Sequence, residues 1–298
     1  MEKCVSVVIP SYNRAHLLHT TIPSYIQEGV GEVIIVDDCS SDNTTEVVRE
    51  LQKKYPLIKY IRMDQNSKQT AAKNRGVREA IYPYIYLGDD DSFITENTIG
   101  ELLNSMNKFN ADIVGAKALY MDSVEDMNDV SSFIIRKSRT VKFISEALDI
   151  NKLFFINFDF DCDAVEKVPF CAACTLVKKE VFDSIRFDTS YRGNAFREET
   201  DFFTRVSDSG RSIYYDSRAV QINLPRNLVL NKNSLLKYKI KSSYYEFLNT
   251  YKYLYKNIKF IKEYYGLSKG ANTIWLNYMK DALSVKVVKL CKVLGSSK

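Results

Sequence analysis

Glycine and proline are scarce, at 11 and 6 of 298 residues. That excludes a collagen-like or low-complexity chain. Histidine is scarcer still, with only His16 and His19. The six cysteines (Cys4, Cys39, Cys162, Cys171, Cys174 and Cys291) contain a single C-x-x-C pair, Cys171 and Cys174. A structural zinc site wants four ligands, so this pair alone does not make one. Buried thiols in a reducing compartment are the expectation. No apolar run approaches the roughly 18 residues of a spanning helix. Nor does a basic region, apolar run and small-residue cleavage site precede Val5-Ser6-Val7-Val8-Ile9. The expectation is a chain without a cleaved secretory signal, working in the cytoplasm.

What is present is an ordinary globular balance of 45% hydrophobic and 27% charged residues. The length suits one large α/β domain, or one domain with an appendage. The net charge of +5 hides an asymmetry: residues 232–298 hold 14 Lys, no Arg and three acids, giving +11, so residues 1–231 carry −6. An acidic body with a basic end suggests two jobs.

Short β-rich runs alternate with amphipathic stretches over the first 120 residues. Strands are expected at Val5–Ile9, Val33–Val36, Ile58–Ile61, Tyr84–Leu87 and Ile113–Ala116. Helices are expected around Leu17–Ile26, after the capping run Ser40-Ser41-Asp42, over Ala71–Ala80 and over Ile99–Phe109. This β-α-β-α order predicts a mostly parallel sheet covered by helices on both faces. From 117 to 195 the pattern loosens. Asp122–Asp129 reads as a polar loop, and Val141–Phe160 mixes aromatics without clean periodicity. Ala172–Val177 reads as a strand followed by a helix through Val181-Phe182. Tyr214–Asp216 and Ala219–Ile222 read as two short strands. Helical spacing returns at Trp275, Tyr278, Met279, Ala282 and Leu283.

In α/β sheets ligands bind beyond the carboxyl ends of the strands. Three strand ends carry polar clusters: Pro10-Ser11-Tyr12-Asn13-Arg14, Asp37-Asp38 and Asp89-Asp90-Asp91. None carries G-x-G-x-x-G or G-x-x-x-x-G-K-[ST], so dinucleotide and P-loop readings lack their phosphate-binding glycines. Three adjacent acids repel one another, and holding them together favours a bound cation. Hard oxygen ligands suit Mg²⁺ or Mn²⁺. A solvated acidic turn is the alternative for the triplet taken alone.

Five blocks in order change that balance: 6–14 (SVVIPSYNR), 35–42 (IVDDCSSD), 71–76 (AAKNRG), 84–91 (YIYLGDDD) and 197–202 (REETDF). Together they resemble family-2 glycosyltransferases of the GT-A fold, over about residues 4–224. The resemblance implies a nucleotide-sugar half (1–116) and an acceptor half (117–231), with 232–298 as a helical appendage. It also implies an inverting transfer from a nucleoside-diphosphate sugar, a UDP-sugar first among them, to a saccharide or lipid-linked hydroxyl, in the synthesis of cell-surface polysaccharide or glycoconjugate. Pro10 and Tyr12 would shape the base pocket, Asp38 would accept a base N–H, and Lys68 would lie near base or phosphates. Asn74 would hold the strand-end loop or contact ribose, core-edge structural duty being the rival. Asp89 and Asp91 match the outer acids of the family's D-x-D motif, with Asp90 between them. Asp91 would ligate the ion, and Asp89 would contact ribose or the ion's water shell.

A base must take the acceptor hydroxyl's proton. The second acid of the family's usual Glu-Asp pair falls on Glu199, with Glu198 its rival and Asp201 a third candidate. Glu for Asp is a departure, since the side chain reaches one methylene further. Asn223 stands where many relatives carry a His metal ligand, which puts the strength of metal dependence in question. Rival functions are a nucleotidyltransferase and a nucleotide-sugar-binding protein without turnover. In 232–298, lysines interleave with tyrosines. This fits docking on an anionic membrane, or equally a helix packing its aromatics on the body. The acidic body and Arg-free tail disfavour nucleic acid.

Overall fold

The computed structural model describes residues 2–141, 158–229 and 235–295. The first strands are β1 (Val5–Ser11), β2 (Val30–Asp37), β3 (Ile58–Arg62) and β4 (Tyr84–Leu87). They lie side by side in the order β3-β2-β1-β4, all parallel. Between them run α1 (Ala15–Thr21), α2 (Thr44–Lys54) and α3 (Lys68–Glu79). Side chains alternate along each strand. Val7, Ile9, Val33 and Ile35 enter one core with α1 and α2, whereas Val8, Ile34 and Val36 enter the other with α3. Because both faces are covered, these strands read as continuous apolar runs.

The sheet continues with β5 (Ser92–Ile94), α4 (Thr98–Phe109), β6 (Ile113–Tyr120), β10 (Thr175–Lys178) and β11 (Ile213–Asn223). Here it becomes mixed. Strand β10 is antiparallel to both β4 and β6, β11 is parallel to β6, and β5 is antiparallel to β11. An all-parallel arrangement therefore holds only for the first half of the sheet. The two strands expected over 214–222 are one, with its register broken between Asp216 and Val220. There Arg218 folds back on buried Asp216. The expected loop at Asp122–Asp129 contains a 3₁₀ turn, Val124–Asn128, opened by a reciprocal Ser123–Asp126 capping box. Beyond it lie α5 (Val130–Lys137) and the short strands β7 (Arg139–Thr140), β8 (Phe160–Asp161) and β9 (Glu166–Lys167). Most of the Val141–Phe160 stretch lies outside the described residues.

Two short helices, α6 (Val181–Ser184) and α8 (Arg226–Val229), flank the helix that matters most, α7 (Glu198–Asp208). Phe202 on α7 stacks on Phe182 and Phe187, at ring-centroid distances of 5.2 and 4.4 Å. The long helices α9 (Leu235–Tyr265) and α10 (Ala271–Gly295) follow, and Tyr253, Leu254, Ile261 and Ile274 join the α3-side core. Asp201 of α7, fully buried, ties α9 down by accepting from Asn257 Nδ2 (2.9 Å) and Lys256 Nζ (3.0 Å).

Candidate functional site

Asp89, Asp90 and Asp91 follow β4, where the chain leaves the sheet for β5. Tyr25 holds the turn: its hydroxyl lies 3.0 Å from the Asp89 carbonyl and 2.9 Å from Ser92 Oγ. Ser11 Oγ donates to Asp90 Oδ2 (2.7 Å), and Leu224 N donates to the Asp91 carbonyl (2.9 Å). Thus β1, β4 and β11 all end at the triplet. Burial raises all three carboxyls, and with the neighbouring acids adding to it at Asp89 and Asp90 these two are pushed up to about 7. Lys73 opposes this at Asp89, and Arg14 opposes it at Asp90 and Asp91.

Two cavities share Asp89 and Asp91 as a common wall. One, of about 350 Å³, is lined by Pro10, Tyr12, Asp38, Lys68 and the three aspartates. Tyr12, 45% exposed, offers its ring at the mouth. Both oxygens of Asp38 accept backbone N–H groups, Oδ1 from Ser67 (2.6 Å) and Oδ2 from Lys68 (2.8 Å). That bracket starts α3 at Lys68, three residues before the expected Ala71. A carboxylate oxygen has a second lone pair, so Asp38 retains acceptor capacity. Lys68, Ala195 and Arg197 all have positive φ (74°, 52° and 75°). Such strain in residues other than glycine gathers at functional sites.

The second cavity, about 420 Å³, is lined by Asp89, Asp91, Asn223, Glu198 and Glu199, with Tyr120 and Phe196 among its aromatic walls. Glu198 and Glu199 begin α7, where the exposed N–H groups favour negative charge. Glu198 is buried at 3% exposure, while Glu199 keeps 27% of its side chain accessible. Lys73 of α3, itself buried, donates through Nζ to Glu198 Oε1 (2.9 Å) and to Glu199 Oε1. Burial pushes Glu198 up to about 8; Lys73 opposes the shift and Glu199 adds to it. Burial disfavours the Lys73 charge, but the two glutamates outweigh it and keep the ammonium ionised.

Of the residues singled out in the sequence, Asn74 is set apart from both cavities. Its Nδ2 donates to the Phe187 carbonyl (2.9 Å) and its Oδ1 accepts from Phe187 N (3.1 Å). The structural alternative therefore describes it, and the ribose contact is withdrawn because Asn74 lines neither cavity. Asp201 likewise leaves the list of bases, since Arg205, Lys256 and Asn257 occupy it. Sequence reasoning missed Lys73, although it lies inside the block 71–76. A lysine in an amphipathic helix reads as solvent-facing, and its partners lie 125 and 126 residues away.

The residues present fit a hard divalent cation. Asp89 and Asp91 supply carboxylates, and Asn223, whose Nδ2 donates to the Leu119 carbonyl (3.1 Å), has an amide oxygen to offer. Among the described residues no three His, Cys, Asp or Glu side chains form a self-sufficient metal nest. A cation here would need substrate oxygens or water to complete its shell, as Mg²⁺ commonly does.

The profile of "Glycosyl transferase family 2" matches residues 6–185, which takes in the strand ends, the triplet and β10. The chain belongs to glycosyl transferase family 2. Over 194 residues this family-2 chain is 28% identical to the GalNAc(5)-diNAcBac-PP-undecaprenol beta-1,3-glucosyltransferase of Campylobacter jejuni, covering 64% of this chain and 56% of that protein. It is 29% identical over 120 residues to the poly(ribitol-phosphate) beta-N-acetylglucosaminyltransferase TarP of Staphylococcus aureus, covering 39% and 36%. These matches therefore span little more than half, or less, of each relative's length. The mannosyltransferase PcManGT of Pyrobaculum calidifontis, solved with GDP-Man and Mn²⁺, superposes at a TM-score of 0.60 and 14% identity, covering 100% of this chain and 80% of that one. That likeness shows the shared GT-A fold.

Proposed function

We propose that this family-2 chain transfers a sugar from a nucleoside diphosphate, a UDP-sugar first among candidates, to a hydroxyl of a saccharide or lipid-linked acceptor. The observation that carries the reading is the pair of cavities meeting over Asp89 and Asp91, with Glu199 lining one of them. The first cavity takes the nucleoside between Tyr12 and Asp38, with Lys68 beside it. The halves 1–116 and 117–231 then supply donor and acceptor walls. Asp91, Asp89 and Asn223 would hold Mg²⁺ or Mn²⁺, which supplies charge neutralisation on the departing diphosphate.

Glu199 is the base. It is the accessible acid of the pair and lines the acceptor cavity, with Lys73 on one of its oxygens. Glu198 is its buried support. Direct attack of the acceptor oxygen on the anomeric carbon forms the new C–O bond, breaks the bond to the diphosphate and inverts the centre. The proton goes to Glu199. The names of the two curated relatives carry a lipid-diphosphate saccharide and a poly(ribitol phosphate) as acceptors, consistent with synthesis of a surface glycan. Work on such acceptors also gives a reason for the basic helices 232–298 to rest on an anionic membrane face. Among the described residues no helix is long and apolar enough to cross one.

The test is nucleoside-diphosphate release across UDP-, GDP- and dTDP-sugars, with and without EDTA. Release should require acceptor and metal and fall about 10²–10⁴-fold in Glu199→Gln at unchanged donor affinity. Release of pyrophosphate from a nucleoside triphosphate would instead favour nucleotidyl transfer. Undiminished turnover in Glu199→Gln would remove the assigned base.

A further inference from the structure

One stripe of α9 lies against the chain that enters α7. Ser242, Tyr245, Asn249, Lys252 and Lys256 are spaced by three, four, three and four residues, which puts them on one face of the helix. They meet the segment 188–194 one after another, in reverse order. Ser242 Oγ accepts from Asn194 Nδ2 (2.9 Å), and the Tyr245 ring closes over Gly193 so tightly that a Cβ there would overlap it. Asn249 takes both backbone groups of Arg192: its Nδ2 donates to the carbonyl (2.8 Å) and its Oδ1 accepts from the N–H (3.3 Å). Lys252 Nζ donates to Ser190 Oγ, and Lys256 Nζ donates to Asp188 Oδ2 (2.9 Å). Asn249 is the buried member of the stripe.

The segment held in this way ends in a tight turn. Ala195 N donates back to the Arg192 carbonyl (3.1 Å), and Gly193 supplies the positive φ (65°) that the turn needs. The tip stands between the two cavities. Gly193, Asn194 and Ala195 line the first, and Asn194 and Ala195 line the second as well. Glu198 N then donates to the Ala195 carbonyl (2.9 Å), so the turn leads directly into the start of α7 and its two glutamates. The positive φ of Ala195 and Arg197 is a conformation that persists only where the surroundings over-determine it. Arg192, Gly193 and Asn194 are exposed on one side, and α9 supplies the other.

We propose that Asn249 is a positioning residue: through Arg192 it fixes the turn that forms a second wall common to both cavities, which makes α9 part of the catalytic unit. The inference rests on the transferase reading above and adds to it a residue that lines neither cavity. The turn and α9 both lie beyond residues 6–185, which the family profile matches. A side-chain amide suits the task, because it carries a donor and an acceptor side by side and can pair with both backbone groups of one residue. Without it the Arg192 backbone loses both partners on α9, and a displaced turn misplaces the walls built on it.

Titration calorimetry of UDP, GDP and dTDP, each with Mg²⁺, into the full chain tests this. A diphosphate that binds the unaltered chain should bind Asn249→Ala at least about five-fold more weakly. Leu254→Ala, which empties a core position on α9 away from the turn, should lower the thermal midpoint as much or more and leave affinity within about two-fold. Hydrogen exchange over 192–198 should accelerate in Asn249→Ala while α7 beyond Phe202 keeps its rate. Should Asn249→Ala not fold, Gly193→Ala reads the same coupling from the exposed side: it should weaken the diphosphate, and adding Tyr245→Ala should recover part of the loss. Unchanged affinity in Asn249→Ala, equal losses in Asn249→Ala and Leu254→Ala, or no recovery in the double variant overturns the proposal. If none of the three diphosphates binds the unaltered chain, the transferase reading fails, and exchange over 192–198 still decides whether Asn249 holds the turn. Binding that is indifferent to Asn249→Ala defeats the positioning role alone.

Discussion

Lys73 has almost no solvent contact and shares its ammonium between two carboxylates, with the Phe187 ring 5.1 Å away. Charges are expensive to bury, and an isolated one more so than a pair. Removing the cation leaves Glu198 without its counter-charge, so Lys73→Met should destabilise the fold by about 3–5 kcal/mol in urea denaturation. A cost below about 1 kcal/mol would mean the ion pair does not hold the start of α7. The same lysine explains why two acids can stand together at a helix N-terminus facing the aspartate triplet. The more accessible acid and the buried one are fixed together through this shared ammonium.

At the scale of elements, α3 and α9 grip the site from two sides. Helix α3 lies so close to β1 that a Cβ on Gly76 would overlap the Val8 side chain. Gly76→Ala should therefore cost about 1–3 kcal/mol by overpacking, read as a lower denaturation midpoint, even though alanine is the better helix former. Equal or greater stability would show that the α3–β1 gap can open freely. Helix α9 is held through Asp188 as well as Asp201, since Lys256 Nζ lies 2.9 Å and Lys252 Nζ 3.4 Å from Asp188. Burial opposes the Asp188 charge, but the Ser190 hydroxyl and Lys256 overcome it and hold the carboxyl well below the ordinary aspartate range. A depressed carboxyl stabilises the fold above its unfolded pKa near 3.8 and loses that contribution as pH falls through its folded value. Hydrogen exchange in α9 should accelerate below about pH 4, and Asp188→Asn should show the faster exchange already at neutral pH. The two were separable in the sequence only in part. The compact apolar run Val5–Ile9 announced β1, but the clasp joins residues whose spacing, 188 with 256 and 201 with 257, carries no local signal.

For the whole molecule, the outer face of α9 bears Tyr244, Leu248, Tyr251 and Tyr255, exposed and spaced by four, three and four residues, with exposed Lys259 and Lys262 on the next turns. The inner face, with Tyr253, Leu254 and Ile261, is in the core. Both readings of the Tyr/Lys segment thus find residues of their own, because a helix has two sides. The proposed membrane contact predicts co-sedimentation with phosphatidylserine vesicles that weakens with salt and fails on phosphatidylcholine alone. Replacing Tyr244 and Tyr255 by Ser should weaken it further at unchanged thermal stability, since these rings are 63% and 71% exposed. Equal binding to neutral and anionic vesicles would remove the electrostatic part of the proposal.

The succession of β1 to β4 along the chain, their double-sided burial and the carboxylates at their ends were already determined by the sequence. Each depends on neighbours within a few residues: an apolar run, a proline or glycine stop, adjacent aspartates. Only the tertiary structure decided that Lys73 pairs with Glu198 and Glu199, that Asn74 serves Phe187, that Asp201 belongs to α9, and that Tyr120 faces the second cavity. These assignments follow from side-chain direction across elements brought together by the core, and the cost of burying unpaired charge fixes the partners that sequence spacing leaves free.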